Sequence, residues 1–273
     1  MPVPAGCLRC SAFPALSPAH AAPAARPALR RVLLRLRRGR APRPEAQRRF
    51  VADASHELRT PLTAERTLLQ VALPDPDADA ETLRATCQDL LVLGTQQEHL
   101  IEALLTLASS ERGVDRWDPF DLADVAGEAV MGRRQEAGRR GVRIDAALGA
   151  APATGDPSLA ESLAANLVDN ALRHNLAGGR VDVATKSSAG RAIISVGNTG
   201  PVISPEEVDR LFQPFQRLGR ERTGHDGGHG LGLAIVRAIA SAHNATLAAK
   251  ARPEGGLDIE VSFPGPHVTP REA

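Results

Sequence analysis

Between Pro44 and Ala72 the apolar positions recur with a helical period. With His56 set at zero and about 100° per residue, Val51, Ala54, Leu58, Leu62, Leu69 and Ala72 all lie at least about 120° away from it. The pattern predicts an amphipathic helix with one buried stripe and His56 on the opposite face. Leu73-Pro74-Asp75-Pro76-Asp77 predicts a turn. From about Asp79 to Arg112 a second helix is expected. There Leu83, Cys87, Leu90, Gly94, Gln97, Ile101, Leu104 and Ala108 alternate spacings of four and three, a coiled-coil-like seam. Two long helices joined by a short turn predict an antiparallel hairpin. A lone hairpin cannot bury both sides of its stripe, so a homodimer completing a four-helix bundle is expected.

Gly113 to Pro119 reads as a linker, and the period changes after it. Leu122–Gly138, Pro157–Asn175 and Gly230–His243 predict helices. Val142–Ala146, Val181–Thr185, Ala192–Gly197, Thr246–Ala251 and Leu257–Phe263 predict strands. Helices over a mostly antiparallel sheet make an α+β layer. Residues 1–43 show no period and are rich in Pro, Ala and Arg, the signature of a disordered basic arm. Three segments follow: the arm over 1–43, the hairpin over 44–114 and the α+β domain over 118–266. The fold class expected is therefore multidomain, α and α+β.

Composition sharpens this picture. A chain of 273 residues with 42% hydrophobic and 24% charged residues builds a real core, and excludes a wholly disordered or collagen-like chain. Aromatics make up 3% and tyrosine is absent, which argues against a nucleic-acid reader built on stacking. The net charge of +1 conceals an asymmetry. Nine arginines precede the first acid, Glu45, leaving 24 bases against 32 acids in the remainder, a net of −8. That body offers nothing to nucleic acid. Cys7 and Cys10 form a lone C-x-x-C and Cys87 stands apart, too few thiols for a structural zinc site. No run of about 18 apolar residues occurs, so no membrane span is expected. The run Val32–Leu36 can at most graze an anionic membrane surface. Residues 1–29 lack the apolar core of a signal peptide, and none is expected.

Candidate chemistry concentrates in four places. In Ser55-His56-Glu57-Leu58-Arg59-Thr60-Pro61-Leu62 a solvent-facing His precedes a Glu, with a proline inside the helix. A neutral imidazole is a nucleophile near pH 7, and a neighbouring carboxylate fixes its tautomer and frees the other nitrogen. Pro61 removes one helical hydrogen bond, which marks a bend beside His56. The H-E-x-x-H zinc pattern fails because Thr60 occupies the second His position. In Asn166-Leu167-Val168-Asp169-Asn170-Ala171-Leu172-Arg173-His174-Asn175 the amides of Asn166 and Asn170 share one helix face. Amide oxygens suit Mg²⁺ among phosphates, and Arg173 reaches a phosphate from the next turn. Taken alone, two buried or capping asparagines would look the same. Val196-Gly197-Asn198-Thr199-Gly200-Pro201 closes an expected strand, and Gly228-His229-Gly230-Leu231-Gly232-Leu233 leads into a helix whose N-terminus favours anions.

In order and content these motifs resemble those of HisKA-type sensor histidine kinases of bacterial two-component systems, over residues 44–264. The His56 run is similar to the H-box, the Asn166–Asn175 run to the N-box, and Val196–Pro201 to the G1 box. Leu211-Phe212-Gln213-Pro214-Phe215 resembles the F-box and Gly228–Leu233 the G2 box, with Arg217–Gly227 between them as a mobile lid. The resemblance implies an α/β sandwich ATP-binding domain after the hairpin. It implies His56 as the phosphoacceptor, Glu57 orienting and deprotonating it, and Thr60 positioning a water for the reverse phosphatase reaction. By the same resemblance Asn170 is the Mg²⁺ ligand, supported by Asn166, while Arg173 and His174 line the nucleotide. Gly200, Phe215, Arg217, Gly228, Gly230, Leu231 and Gly232 complete the ATP site. Two departures stand out: Asn198 replaces the Asp that accepts from the adenine amino group, and Val202 replaces the second glycine of G1.

The activity implied is ATP- and Mg²⁺-dependent autophosphorylation on His56, followed by transfer to an Asp of a response regulator. Two alternatives remain beside it: a degenerate or phosphatase-biased kinase, and an ATP-driven clamp without a phosphohistidine. Family members are usually inner-membrane proteins with these domains in the cytoplasm. As encoded the chain is expected to be cytoplasmic, with a membrane link only through an N-terminal region that the sequence does not reveal.

Overall fold

A computed structural model describes residues 44–73, 79–111, 113–216 and 229–265. The basic arm, the turn at 74–78 and the lid at 217–228 lie outside the described residues, as do Cys7 and Cys10. By internal contacts the chain divides between Arg49 and Phe50. Of the first unit only the opening turns of a helix are described.

That helix, α1 (Pro44–Ala72), continues through Pro61. Hydroxyls stitch its turns: Ser55 donates to the Val51 carbonyl at 2.7 Å and Thr60 to that of His56 at 3.1 Å. The second helix, α2 (Ala80–Glu111), carries Gln97, whose amide donates to Glu65 of α1. The large apolar side chains of α2 that are half-buried or buried are Leu90, Leu93, Leu100, Leu104 and Leu107, with Gln97 half-buried among them. The expected seam shares Leu90, Gln97 and Leu104 with this stripe. Gly94 is half-buried as well; the seam errs at Leu83, Cys87, Ile101 and Ala108, which are exposed, the last two one residue beyond Leu100 and Leu107. The reason is that α2 serves two neighbours. Leu100 and Leu107 enter the core of the following domain rather than a seam with α1. The expected stripe of α1 is corrected likewise, since Val51, Leu62 and Leu69 stay 57%, 54% and 42% exposed.

The α+β domain begins inside the expected linker, with β1 (Asp118–Asp121) pairing antiparallel with β3 (Pro152–Gly155). Neither strand was expected, because four residues are too few to show a period. The main sheet runs β2 (Arg143–Leu148), β4 (Arg180–Ser188), β5 (Arg191–Asn198), β7 (Leu257–Pro264), β6 (Thr246–Ala251). Only β2 and β4 are parallel; the other three pairings are antiparallel. Helices α3 (Leu122–Arg139), α4 (Pro157–Arg173) and α6 (Gly232–Ala242) supply the second layer, with a short α5 (Pro205–Val208) running into a 3₁₀ turn, Asp209–Phe212. The expected helices and the five expected strands are all present. Leu122, Leu163, Leu167, Ile194, Ile239 and Phe263 are fully buried between the layers.

Capping explains where the helices begin. Asp121 accepts from the amides of Ala123 and Ala151, fixing the start of α3. Asp156 accepts from Ser158 and Leu159, and Pro157 at the first position suits α4, where no N–H is needed. Leu231 and Leu233 around the start of α6 share a core with Leu100 and Leu107 of α2, which seats the hairpin on the α+β domain. Among the described residues no helix is long and apolar enough to cross a membrane.

Candidate functional site

Helices α2, α3, α4 and α6 and the ends of β5 and β7 enclose a cavity of about 810 Å³. On α4 the one-turn spacing of Asn166 and Asn170 brings both to its wall, with Arg173 and the capping His174 at the helix end. Asn166 donates from Nδ2 to the Ser162 carbonyl at 2.8 Å, which leaves its Oδ1 turned toward α6. A Cβ on Gly232 would stand 3.3 Å from that oxygen.

Gly230, Leu231, Gly232 and Leu233 line the same cavity at the start of α6. No side chain caps that helix. Its first hydrogen bond runs from Ile235 to Leu231, so the earlier amides carry no helical partner and form an anion-favouring end. Gly230 has a φ of +68°, and a Cβ there would meet the Gln216 carbonyl at 2.8 Å. The Phe215 amide donates to the Gly230 carbonyl at 2.9 Å and clamps the two ends of the lid segment together.

Asn198 is buried at the end of β5 and lines the cavity. Its Nδ2 donates to the carbonyls of Thr199 at 2.7 Å and His174 at 3.4 Å, so Oδ1 is the end left to accept from a base. Gly200 does not line the cavity. It packs behind, where a Cβ would stand 2.6 Å from the His174 carbonyl. Phe215 is also absent from the lining. Its ring packs against Phe50 of α1, with centroids 5.7 Å apart, and its φ is +62°, a left-handed backbone rare for a bulky residue. Arg217 and Gly228 lie outside the described residues.

The H-box residues sit outside the cavity. His56 and Thr60 are exposed on α1. Glu57 is half-exposed, and its Oε2 lies 3.3 Å from Nδ1 of His229, a residue of the cavity wall. One hydrogen bond thus separates the H-box from the cavity.

Several lining residues escaped the sequence reading. Arg133 of α3 grips Asp169 of α4 with two bonds of 2.9 Å, and this pairing raises the Arg133 pKa. Glu136 on α3, Arg140 capping its end, and His99 and Glu102 on α2 add to the polar wall, with Gly256 beside Asn198. Asp169 lay within the quoted N-box run. The α3 residues carry no motif, and only the packing of α3 on α4 brings them in.

Comparison with known proteins follows the same division. Residues 46–113 match the His Kinase A (phospho-acceptor) domain. Residues 155–267 match the histidine kinase-, DNA gyrase B-, and HSP90-like ATPase family. The sensor protein CutS of Streptomyces coelicolor is 48% identical over 220 residues, 80% of this chain and 53% of that protein. The chain spans about half the length of the curated relatives it matches. Among solved structures, the histidine kinase AdeS of Acinetobacter baumannii aligns with a TM-score of 0.60 at 24% identity, over 78% of this chain and 98% of that one. The histidine kinase ThkA in complex with the response regulator protein TrrA aligns at 0.59 with 20% identity, over 82% of this chain and 62% of that one. These likenesses extend to the fold.

Proposed function

The chain belongs to the HisKA-type sensor histidine kinases, and from that premise we propose that it autophosphorylates on His56 with ATP and passes the phosphoryl group to an Asp of a response regulator. The observation that carries this reading is the Glu57–His229 contact, which sets an exposed His-Glu pair one hydrogen bond from a nucleotide-sized cavity. The clamp alternative offers no use for an exposed His56 beside Glu57. The hairpin over 44–114 and the ATP-binding domain over 118–266 divide the work.

The substrate ATP suits the cavity. Bound there, its phosphates would meet the uncapped start of α6 and Arg173, and its base would meet the Asn198 oxygen. Among the described residues no cluster of three or more His, Cys, Asp or Glu forms a metal site. The Asn170 amide, supported by Asn166, would suit a magnesium ion among phosphate oxygens. When bound, Mg²⁺ neutralises charge on the transferring phosphoryl group. An imidazole nitrogen of His56 forms the N–P bond as the bond to the β,γ-bridging oxygen breaks, and ADP departs with that electron pair. Glu57 takes the proton from the other ring nitrogen. Thr60 serves the reverse, hydrolytic reaction. Because His56 stands outside the cavity wall, transfer requires the cavity to be presented to a His56 of this copy or of a second one.

A homodimer belongs to this reading. Val51, Leu62 and Leu69 of α1 and Leu83, Ile101 and Leu105 of α2 remain more than two-fifths exposed in one copy, and a second hairpin would cover them. The ATP requirement sets both domains on the cytoplasmic side.

The test is incubation with γ-labelled MgATP, alongside His56→Gln. Label that is acid-labile, base-stable and absent from the variant is expected. Label that survives acid, or that persists in the variant, overturns the proposal.

A further inference from the structure

His229 stands between Gly228 and Gly230 in the sequence and lines the cavity. Its two ring nitrogens are unequally placed. Nδ1 lies 3.3 Å from the Glu57 carboxylate, which accepts only, so this nitrogen carries the proton. Nε2 is fully shielded from solvent, and among the described residues it has no hydrogen-bond partner. It is the one buried side-chain polar atom among them so placed. A buried nitrogen left unpaired is costly, and in native proteins it marks a missing partner. The surrounding cavity holds the uncapped amides of α6 and Arg173, which attract an anion. An anionic oxygen at Nε2 would face Glu57 across the ring, and an imidazole donates at both ends when both nitrogens carry a proton.

We propose that His229 is a positioning residue that ties the H-box to nucleotide occupancy: Nδ1 holds the Glu57 carboxylate while Nε2 donates to a phosphate oxygen of bound ATP. The proposal rests on the kinase reading above. Through Nδ1 alone the imidazole is held from one side. With nucleotide present the imidazole is fixed from both sides, and the carboxylate is steadied beside His56. Glu57 thereby affects nucleotide affinity without touching nucleotide, and His229 affects transfer without touching His56.

The test is a double-mutant cycle in the full chain, read as the dissociation constant of the non-hydrolysable imido analogue of ATP with Mg²⁺. His229→Ala is expected to weaken binding roughly tenfold, the loss of one charge-assisted hydrogen bond. Glu57→Ala is expected to weaken it several-fold although it lies outside the cavity, and the double variant is expected to bind no worse than His229→Ala. His229→Gln, whose amide reaches the Nε2 position, should recover most of the affinity while leaving it indifferent to Glu57. It also controls for a folding defect in the alanine variant. Wild-type affinity in Glu57→Ala, or additive losses in the double variant, overturns the proposal. The companion assay is acid-labile label on His56. Label without coupling refutes the role of His229 and leaves the kinase reading intact. Coupling without label refutes the kinase reading and leaves the link between Glu57 and nucleotide.

Discussion

His243 offers a test of how the fold holds the cavity walls in place. It is fully buried at the end of α6. Nδ1 donates to the Ile239 carbonyl at 2.9 Å, and Nε2 accepts from the Asp156 amide at 3.0 Å. The ring packs edge-on against Phe263 and Trp117 at 5.3 and 6.1 Å. Both nitrogens are thus satisfied only in the neutral form, and the ring ties the end of α6 to the start of α4, the helix bearing Asn166 and Asn170. Burial pushes its pKa below the ordinary 6.5, more than its hydrogen bonds to Ile239 and Asp156 raise it. The unfolded chain therefore binds this proton more readily. The stabilisation is complete above about pH 6.5 and is lost as the pH falls from there through the native pKa. His243→Ala also removes a buried ring and strands the Asp156 amide. Those losses come to about 3–5 kcal/mol, from a cavity cost of roughly 2–4 and an unsatisfied donor of about 1. At roughly 2–4 °C per kcal/mol for a domain of this size, melting falls by about 10 °C at pH 8. The assay is thermal unfolding followed by circular dichroism from pH 8 to pH 5, comparing wild type with His243→Phe. Wild type is expected to lose more stability below pH 6.5 than the variant does. Parallel profiles for the two proteins would refute the neutral-histidine argument.

Two further predictions follow from backbone and surface. Gly256 has a φ of +101°, and a Cβ there would fall 1.9 Å from the Asn198 carbonyl. Gly256→Ala is therefore expected to cost about 2 kcal/mol or more and to raise the dissociation constant for the ATP analogue, measured by calorimetry, because the strand end bearing Asn198 must shift. On the hairpin, Ile101→Glu together with Leu62→Glu places charges on the exposed apolar face. For the homodimer proposed above, sedimentation should show the dissociation constant rising at least 100-fold, since each charge buried without a partner costs several kcal/mol. An unchanged sedimentation coefficient at micromolar concentration would place the dimer contact elsewhere.

Long periodic elements were legible in the sequence, because a helix of 29 or 32 residues repeats its pattern many times. Which face each neighbour takes was not. In α2 the apolar residues form a band broader than one seam, and sequence spacing alone does not decide between Leu100 and Ile101. Only the presence of α6 assigns Leu100 to the core and leaves Ile101 outward. The short strands β1 and β3 escaped for the opposite reason, since four residues carry too little pattern.

The candidate site divides along the same line. Asn166, Asn170 and Arg173 were visible because one helix carries them at a readable spacing, His174 through the family resemblance, and Gly230 and Gly232 because close approach to an anion demands glycine. Arg133 and Glu136 were not visible, since their place depends on α3 packing beside α4. The Glu57–His229 contact joins residues 172 positions apart. Each was quoted in its own motif, yet neither motif announces the other. Local chemistry is written in the order of residues, whereas coupling between motifs is written in tertiary packing. The residue most open to misreading is therefore His229, which in sequence occupies only the variable position of a glycine-rich run. Its unpaired Nε2 becomes meaningful once His229 is seen both in the cavity wall and against Glu57.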